Sequence, residues 1–290
     1  MYFEFLQQKF LDNLRRIDVA EQCYCFGIIN LTPDSFSDGS KQNSTLDYQL
    51  QKTNEHIRLK ADVIDIGAQS TNPNADAVSV QEELGRLLPF LENYQSQLPL
   101  SLDCFEPEII KQLFSNKHLS KDIHFINDVT GMQNIDFLEI CSEYCPQETK
   151  FIAMHSKGGI PPIPSRDLPE GFYDEDQGLE THMMKFFEKT LDLCEKFSIK
   201  KESLILDPGF GFAKSFKHSF ELIDIIPKIK KEFSLPIFVG SSRKSFLRLW
   251  TKKISELGFN AAALTNKELD LLTIEFNSLL RDVDYFRMHA

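Results

Sequence analysis

Long apolar runs are absent from this chain of 290 residues, and none approaches the ~20 residues that a membrane-spanning helix needs. An excess of basic charge is absent too, since 32 Lys and Arg stand against 43 Asp and Glu, a formal net charge of −11. This balance argues against a nucleic-acid or anionic-membrane surface, but a few focused basic residues can still bind a small anionic substrate. Met1 to Asp18 lacks a clean apolar stretch, so we predict an amphipathic helix there rather than a signal peptide.

Cysteine and metal-binding patterns are equally sparse. The six cysteines form no disulfide framework, and their spacing is typical of free thiols in a reducing cytosol, so we predict a cytoplasmic protein. The sequence has no His-Glu-x-x-His motif, no paired Cys-x-x-Cys motifs and no three-His cluster, so we expect no tightly held structural metal. It also lacks a nucleophile elbow, so we expect no nucleophilic serine.

Short apolar runs alternate with helical patterns along the chain. The predicted strands are Cys25–Asn30, Val63–Gly67, Leu98–Asp103, Ile123–Asp128, Lys150–His155, Leu204–Asp207, Pro236–Gly240 and Tyr285–His289. Among the predicted helices are Leu46–Leu59, with Leu46, Leu50 and Ile57 on one face, and Leu179–Phe197. Eight such units predict an α/β fold of the (β/α)₈ TIM-barrel type, in preference to a doubly wound open sheet. We assign residues 1–24 to an N-terminal helical extension and residues 25–290 to the barrel.

Nearly every predicted strand ends in a polar residue that a core strand does not need. In a closed barrel the strand ends converge on one mouth, so we expect the functional site there. The residues are Asn30, Asp65 with Gln69, Asp103, Asn127 with Asp128, His155, Asp207, the Ser242-Arg243-Lys244 run, and Arg287 with His289.

These residues predict a site with two chemically different ends. Asp103, Asn127 and Asp207 offer acceptors that suit a planar heterocycle with several N–H donors. The basic end, which suits phosphate or diphosphate, comprises Arg243, Lys244, Arg287 and His289. Asn30, with Asp38 or a bound diphosphate, can hold a Mg²⁺ ion, which prefers oxygen ligands.

Eight segments closely resemble, in the same order, the motifs of the dihydropteroate synthase family. The segments Gly27–Gly39 and Leu206–Phe212 carry the most specific of them. The others are Ile64–Pro73, Ser101–Asp103, Ile126–Asp128, Met154–His155, Gly240–Ser245 and Arg287–His289. The resemblance covers residues from about 25 to 289, which is nearly the whole predicted barrel.

The resemblance implies a TIM-barrel transferase of folate biosynthesis that joins 6-hydroxymethyl-7,8-dihydropterin diphosphate to p-aminobenzoate, in a dissociative reaction that needs Mg²⁺. It implies catalytic roles for Asp103, Lys244, Arg287 and His289. It implies pterin binding by Asp103, Asn127, Met154, Asp207, Gly240 and Lys244, and diphosphate binding by Asn30, Arg287 and His289, with Asn30 also at the metal. It further implies a p-aminobenzoate pocket, where sulfonamides compete, lined by Thr71, Pro73, Phe212 and Ser242. The family also implies a homodimer and, in some members, fusion to or association with a pterin pyrophosphokinase domain.

The sequence departs from the family pattern in the second loop. Asn72 replaces an arginine expected near the diphosphate, and Gln69 replaces a glutamate that helps to order that loop. Lys157, in place of a glutamine, is expected to compensate in part. The chain also stops at Ala290, so the eighth helix is expected to be missing.

Three alternative functions remain. A degenerate homologue would bind pterin with weak or no synthase activity, as the second-loop departures suggest. A methyltetrahydrofolate-binding methyltransferase domain shares the pterin-binding Asp and Asn but not the first loop. A phosphate-binding isomerase barrel accounts for the basic end alone.

Overall fold

Eight parallel strands surround one interior in the computed structural model of this chain, which describes residues 23–32, 45–69, 78–158, 163, 168–169 and 171–289. The strands lie in the order β6-β5-β4-β3-β2-β1-β8-β7, and a single parallel bridge between Leu206 and Ile237 spans the gap between β6 and β7. The sheet is therefore a nearly closed barrel, consistent with the predicted TIM barrel. The strands are β1 (Tyr24–Asn30), β2 (Val63–Gly67), β3 (Leu100–Asp103), β4 (Ile123–Asp128), β5 (Lys150–Met154), β6 (Leu204–Asp207), β7 (Phe238–Val239) and β8 (Tyr285–Met288).

Helices cover the outside of the described barrel. Several begin at side chains that cap the first turn: Thr45 accepts from the Tyr48 amide, and the Ser79–Glu82 pair forms a reciprocal capping box. No helix in the described ranges is long and apolar enough to cross a membrane. The helices are α1 (Leu46–Arg58), α2 (Val80–Asn93), α3 (Pro107–Phe114), α4 (Lys117–Ser120), α5 (Ile135–Tyr144), α6 (Leu179–Lys196), α7 (Phe216–Phe233), α8 (Thr251–Glu256) and α9 (Asn266–Asn277).

Helix α1 buries a different face from the one predicted. Gln49, Thr53 and His56 are its buried residues, whereas Leu46 and Leu50 are half-buried at the edge. The reason is hydrogen bonding: His56 Nε2 lies 3.0 Å from the Ile28 carbonyl oxygen, and Thr53 Oγ1 donates to the Gln49 carbonyl at 3.0 Å. A polar face whose groups are paired in this way can be buried at little cost.

The barrel interior has two layers that alternate with the strand period of two residues. The lower one, which we call the floor layer, is apolar, and the Phe26 ring meets those of Phe125 and Phe238 edge-on with centroids 5.1 Å apart. The upper one, which we call the site layer, comes two residues further along the chain at six of the eight strands. The floor layer consists of Phe26, Val63, Phe125, Ile152, Ile205, Phe238 and Tyr285, and the site layer of Asp65, Asp103, Asn127, Met154, Asp207, Gly240 and Arg287. The floor closes the barrel beneath the mouth.

Two predictions about the ends of the chain remain predictions. The N-terminal helix over Met1 to Asp18 lies outside the described residues. At the other end, β8 finishes at Met288 and the description finishes at His289, so the expected loss of an eighth helix is not tested.

Candidate functional site

A narrow slot opens above the site layer and brings together six residues that were predicted as one group. Strand register explains the juxtaposition, because Asp103 pairs with Asn127 across β3 and β4, and Met154 pairs with Asp207 across β5 and β6. The slot encloses about 40 Å³. Its lining includes all six residues of the predicted pterin group: Asp103, Asn127, Met154, Asp207, Gly240 and Lys244.

Arg287 lies between two carboxylates at the base of the slot. Its Nε donates to Asp65 Oδ2 at 2.6 Å, and one Nη2 hydrogen is donated to Asp103 Oδ2 at 2.7 Å. Burial works against the charge of Arg287, but Asp65 and Asp103 raise the pKa of its guanidinium, so it stays protonated. These two bonds leave three of its five N–H groups for a ligand.

Two acceptors face the slot from β4 and β6. Asn127 Oδ1 is buried and has no hydrogen-bond partner among the described residues. Asp207 Oδ1 accepts the Gly209 amide at 2.7 Å, which leaves its other oxygen for a ligand. Burial raises the pKa of Asp207 to about 6, although the Gly209 hydrogen bond and Lys244 oppose this. A buried acceptor without a donor is costly, so this wall is built for a ligand that donates.

Apolar side chains form the other wall of the slot. Val129, Met154 and Phe212 make a small cluster with Phe105 packed against it. Lys244 Nζ lies 4.0 Å from the centre of the Phe212 ring, within cation–π range. Burial and the nearby Arg287 lower the pKa of Lys244 to about 8. An acceptor wall facing an apolar wall suits a flat heterocycle with N–H donors on its edge.

The turn after β6 is fixed from below by a buried lysine. Lys214 is fully buried, and its Nζ lies 2.8 Å from His155 Nδ1 and 3.1 Å from each of the carbonyl oxygens of His155 and Phe212. His155 in turn lies 2.8 Å from His182 Nδ1. His155 was predicted to lie at the mouth of the barrel. Its ring instead contacts Lys214 and His182, and through Lys214 it helps to hold the turn that carries Phe212.

Gly209 in this turn tests how tightly the slot is built. It has φ +70°, and a Cβ there would lie 2.2 Å from the His155 carbonyl oxygen. Gly258 is the matched control, since its φ is +71° but a Cβ would meet nothing within 4 Å. We expect Gly258→Ala to lower the free energy of unfolding, measured with a chemical denaturant, by about 1–2 kcal/mol because of the left-handed backbone alone. Gly209→Ala should cost a further ~1–3 kcal/mol because the turn must move, and equal losses would contradict this reading.

A second cavity of about 500 Å³ adjoins the slot and shares Gly240, Lys244 and Arg287 with it. In it, Ser242 Oγ accepts the His289 amide at 3.2 Å and lies 3.0 Å from His289 Nδ1. Burial lowers the pKa of His289 well below its usual value, so the ring is neutral. Slot and cavity are therefore neighbours that share part of one wall.

The predicted separation into an acceptor end and a basic end is found only in part. All four residues of the basic end line the second cavity: Arg243, Lys244, Arg287 and His289. Lys244 and Arg287 also line the slot with its carboxylates, because buried charges need nearby partners. Arg243 already has a carboxylate partner. Its guanidinium binds both oxygens of Asp270, at 2.7 and 2.8 Å, on α9.

Two further polar residues have local structural roles. Asp128 accepts from the Thr130 amide and hydroxyl and from the Met132 amide, so it stabilises the turn after β4. Lys157 pairs with Asp176 and donates to the Phe172 carbonyl oxygen at 2.7 Å. It lines a different cavity, next to α6. Because Asn72 lies outside the described residues, the compensation by Lys157 stays a prediction.

The magnesium and p-aminobenzoate predictions rest partly on undescribed residues. Asn30 ends β1 with its side chain exposed and lines neither the slot nor the second cavity. Within the described ranges no group of three metal-ligating side chains exists, so Asn30 offers one oxygen and a substrate diphosphate would have to supply others. The remaining residues of these predictions, Asp38, Thr71, Asn72 and Pro73, lie outside the described residues.

Sequence reasoning overlooked several residues of the site. Val129, Gly209 and Phe210 line the slot, and Arg248 lines the second cavity. Lys214 carried a readable signal, since a lysine inside an apolar, glycine-rich segment needs buried partners. The pairing of Asp65 with Arg287 carried none, because the two residues are 222 positions apart.

Comparison with known proteins agrees with this geometry. The family described as "Pterin binding enzyme" matches residues 26–289. Dihydropteroate synthase of Escherichia coli (strain K12) is 34% identical over 226 residues, which cover 77% of this chain and 74% of that protein. The structure of Yersinia pestis dihydropteroate synthase in complex with a sulfonamide drug is 28% identical with a TM-score of 0.74, covering 93% of this chain and 89% of that one. The Xanthomonas albilineans enzyme with 4-aminobenzoic acid is 28% identical with a TM-score of 0.71, covering 92% and 87%.

Proposed function

Since this chain belongs to the pterin-binding enzyme family and is homologous to dihydropteroate synthases, we propose that it condenses 6-hydroxymethyl-7,8-dihydropterin diphosphate with p-aminobenzoate. The products are 7,8-dihydropteroate and diphosphate. The observation that carries the proposal is the slot, where the unpaired Asn127 Oδ1 and the second oxygen of Asp207 face an apolar wall. A pterin ring offers amino and ring N–H donors on one edge and two flat faces, which is the complement of this slot.

The pterin edge would bind Asn127, Asp207 and Lys244, with Met154 and Phe212 against its faces. The slot itself is small, so the exocyclic methylene and its diphosphate would extend into the adjoining cavity, which Lys244 and Arg287 also line. There the free N–H groups of Arg287 would bind diphosphate oxygens.

The residues present support a dissociative reaction. As diphosphate leaves, positive charge develops on the methylene, and Asp103 and Asp65 in the site layer stabilise it electrostatically. A Mg²⁺ ion held by Asn30 and the diphosphate would neutralise leaving-group charge when bound. The neutral arylamine then attacks, and the protein positions both partners without a protein nucleophile.

The test is turnover of the purified chain with pterin diphosphate, p-aminobenzoate and Mg²⁺, followed as dihydropteroate formation. Binding of 6-hydroxymethylpterin is measured in parallel. Turnover supports the proposal. Pterin binding without turnover instead identifies the degenerate homologue, which the asparagine at position 72 favours. Absence of both overturns the assignment of the slot.

Pterin affinity should depend on pH with two limbs. Asp207 must be ionised to accept, so affinity should fall by about tenfold per pH unit below a pKa of about 6. Lys244 must be protonated to donate, so affinity should also fall above a pKa of about 8. Fluorescence titration from pH 5 to 9 would show this. In Lys244→Gln the basic limb should vanish, apart from any limb due to the ligand itself, and unchanged affinity at pH 5 would exclude the role of Asp207.

A further inference from the structure

The cavity beside the slot looks more basic than it is. Its lining includes Lys244, Arg248, Arg287 and His289, and none of the described residues that line it is acidic. A cavity so lined suits an anion. Two of these basic groups, Lys244 and Arg287, already have carboxylates close to them.

The charges next to this cavity are nearly balanced. Asp65, Asp103 and Asp207 lie close to Lys244 and Arg287, and the buried Lys214 also acts on Asp207, so three acidic groups are matched by three basic ones around the site layer. The neighbouring Arg243 is matched by Asp270. Burial lowers the pKa of His289 well below its usual value, so its ring is neutral. None of these groups therefore leaves a surplus of positive charge for an incoming oxyanion.

Arg248 is different. It makes no hydrogen bond or ion pair with any described residue, and its side chain is exposed at the edge of the cavity. Its backbone is nevertheless fixed, because the neighbouring Phe246 and Leu247 are fully buried, and the Phe246 ring lies 4.9 Å from that of Phe276. The segment Ser245–Leu249 thus holds a guanidinium with five free donors at the cavity mouth.

We propose that Arg248 supplies the surplus positive charge that binds an anionic group of the substrates in this cavity. The inference rests on the proposed function and deepens it. The group is a planar or tetrahedral oxyanion, which the substrates provide in two forms, the carboxylate of the acceptor and the diphosphate of the donor. If the group is the diphosphate, Arg248 replaces the arginine that the family carries where this chain has Asn72.

Binding measurements test the proposal without requiring turnover. The variants are Arg248→Gln, which removes the charge, and Arg248→Lys, which keeps it. Arg281→Gln is the control, since it makes the same charge change at an exposed position before β8, at the opposite end of the barrel. Calorimetry would give the Kd of inorganic diphosphate, and then of p-aminobenzoate and its uncharged amide with diphosphate present.

We expect Arg248→Gln to raise one of the two oxyanion Kd values about tenfold and Arg248→Lys to restore part of the affinity. Weaker diphosphate binding identifies the donor group, whereas weaker p-aminobenzoate binding with unchanged amide binding identifies the acceptor carboxylate. Binding of 6-hydroxymethylpterin should stay unchanged, so its loss would count against the proposed function rather than against Arg248. Kd values in Arg248→Gln equal to those in Arg281→Gln would overturn the proposal.

Discussion

Replacing Asp207 by asparagine should lower the affinity for 6-hydroxymethylpterin by a factor of roughly 10 to 150. The factor corresponds to ~1.5–3 kcal/mol for a lost hydrogen bond to a charged acceptor. The fold should survive, because the asparagine Oδ1 can still accept the Gly209 amide as Asp207 Oδ1 does at 2.7 Å. The amide nitrogen, by contrast, would face the donors of the ring. Isothermal titration would measure the affinity, with circular dichroism to verify folding.

The matched control is Asp270→Asn. Asp270 is equally buried and binds Arg243 through both oxygens, but it lies on α9 away from the slot. Its replacement should reduce stability and leave pterin affinity intact. Equal pterin affinity in both variants would remove Asp207 from the binding site.

Replacing Arg287 by methionine should lower the free energy of unfolding by about 3–5 kcal/mol, even without any ligand. The reason is that Asp65 is fully buried and Asp103 largely so, and the variant removes the guanidinium that binds both carboxylates. Urea unfolding at pH 7 would measure the loss. Lys228→Met is the control, since it breaks an exposed ion pair with Glu180 and should cost no more than about 1 kcal/mol.

The pH dependence of the Arg287→Met variant gives an independent check. Burial already raises the pKa of Asp103 and Arg287 opposes this, so without the arginine that pKa rises further above its unfolded value. A carboxyl group with a raised pKa destabilises the fold at high pH, so the deficit should shrink as pH falls and Asp103 becomes protonated. Adding Asp65→Asn should likewise recover part of the loss. If Arg287→Met loses no more stability than Lys228→Met, and the loss does not vary with pH, the ion pairs of Arg287 with Asp65 and Asp103 contribute little.

The apolar pattern of the strands and the position of the polar residues at their ends were enough to predict the site layer. The runs that became β4 and β6 are continuous and apolar, so their bounds were readable, and the polar residues that end them, Asn127 and Asp207, had to meet at one mouth. Chain order alone therefore located the acceptors.

Pairing between distant residues could not be predicted in the same way. Asp65 and Arg287 are 222 positions apart, and no local pattern links them. The same limit applies to Arg243, which has the residue type of an anion ligand but is engaged by Asp270 on a separate helix. On α1, hydrophobic periodicity failed because His56 and Thr53 satisfy their hydrogen bonds internally, which composition does not reveal.

The two layers of the barrel interior should tolerate different substitutions. Floor residues such as Phe26 and Phe238 pack against one another beneath the mouth. Substitutions there are limited by the side-chain volume that the core can hold and not by the ligand. Asn127 and Met154 can be exchanged to suit a new ring with little effect on the scaffold. Asp65, Asp103 and Arg287 serve both the scaffold and the ligand, because their ion pairs are buried and they lie at the site. A substitution at one of them should therefore be accompanied by compensating substitutions at the other two.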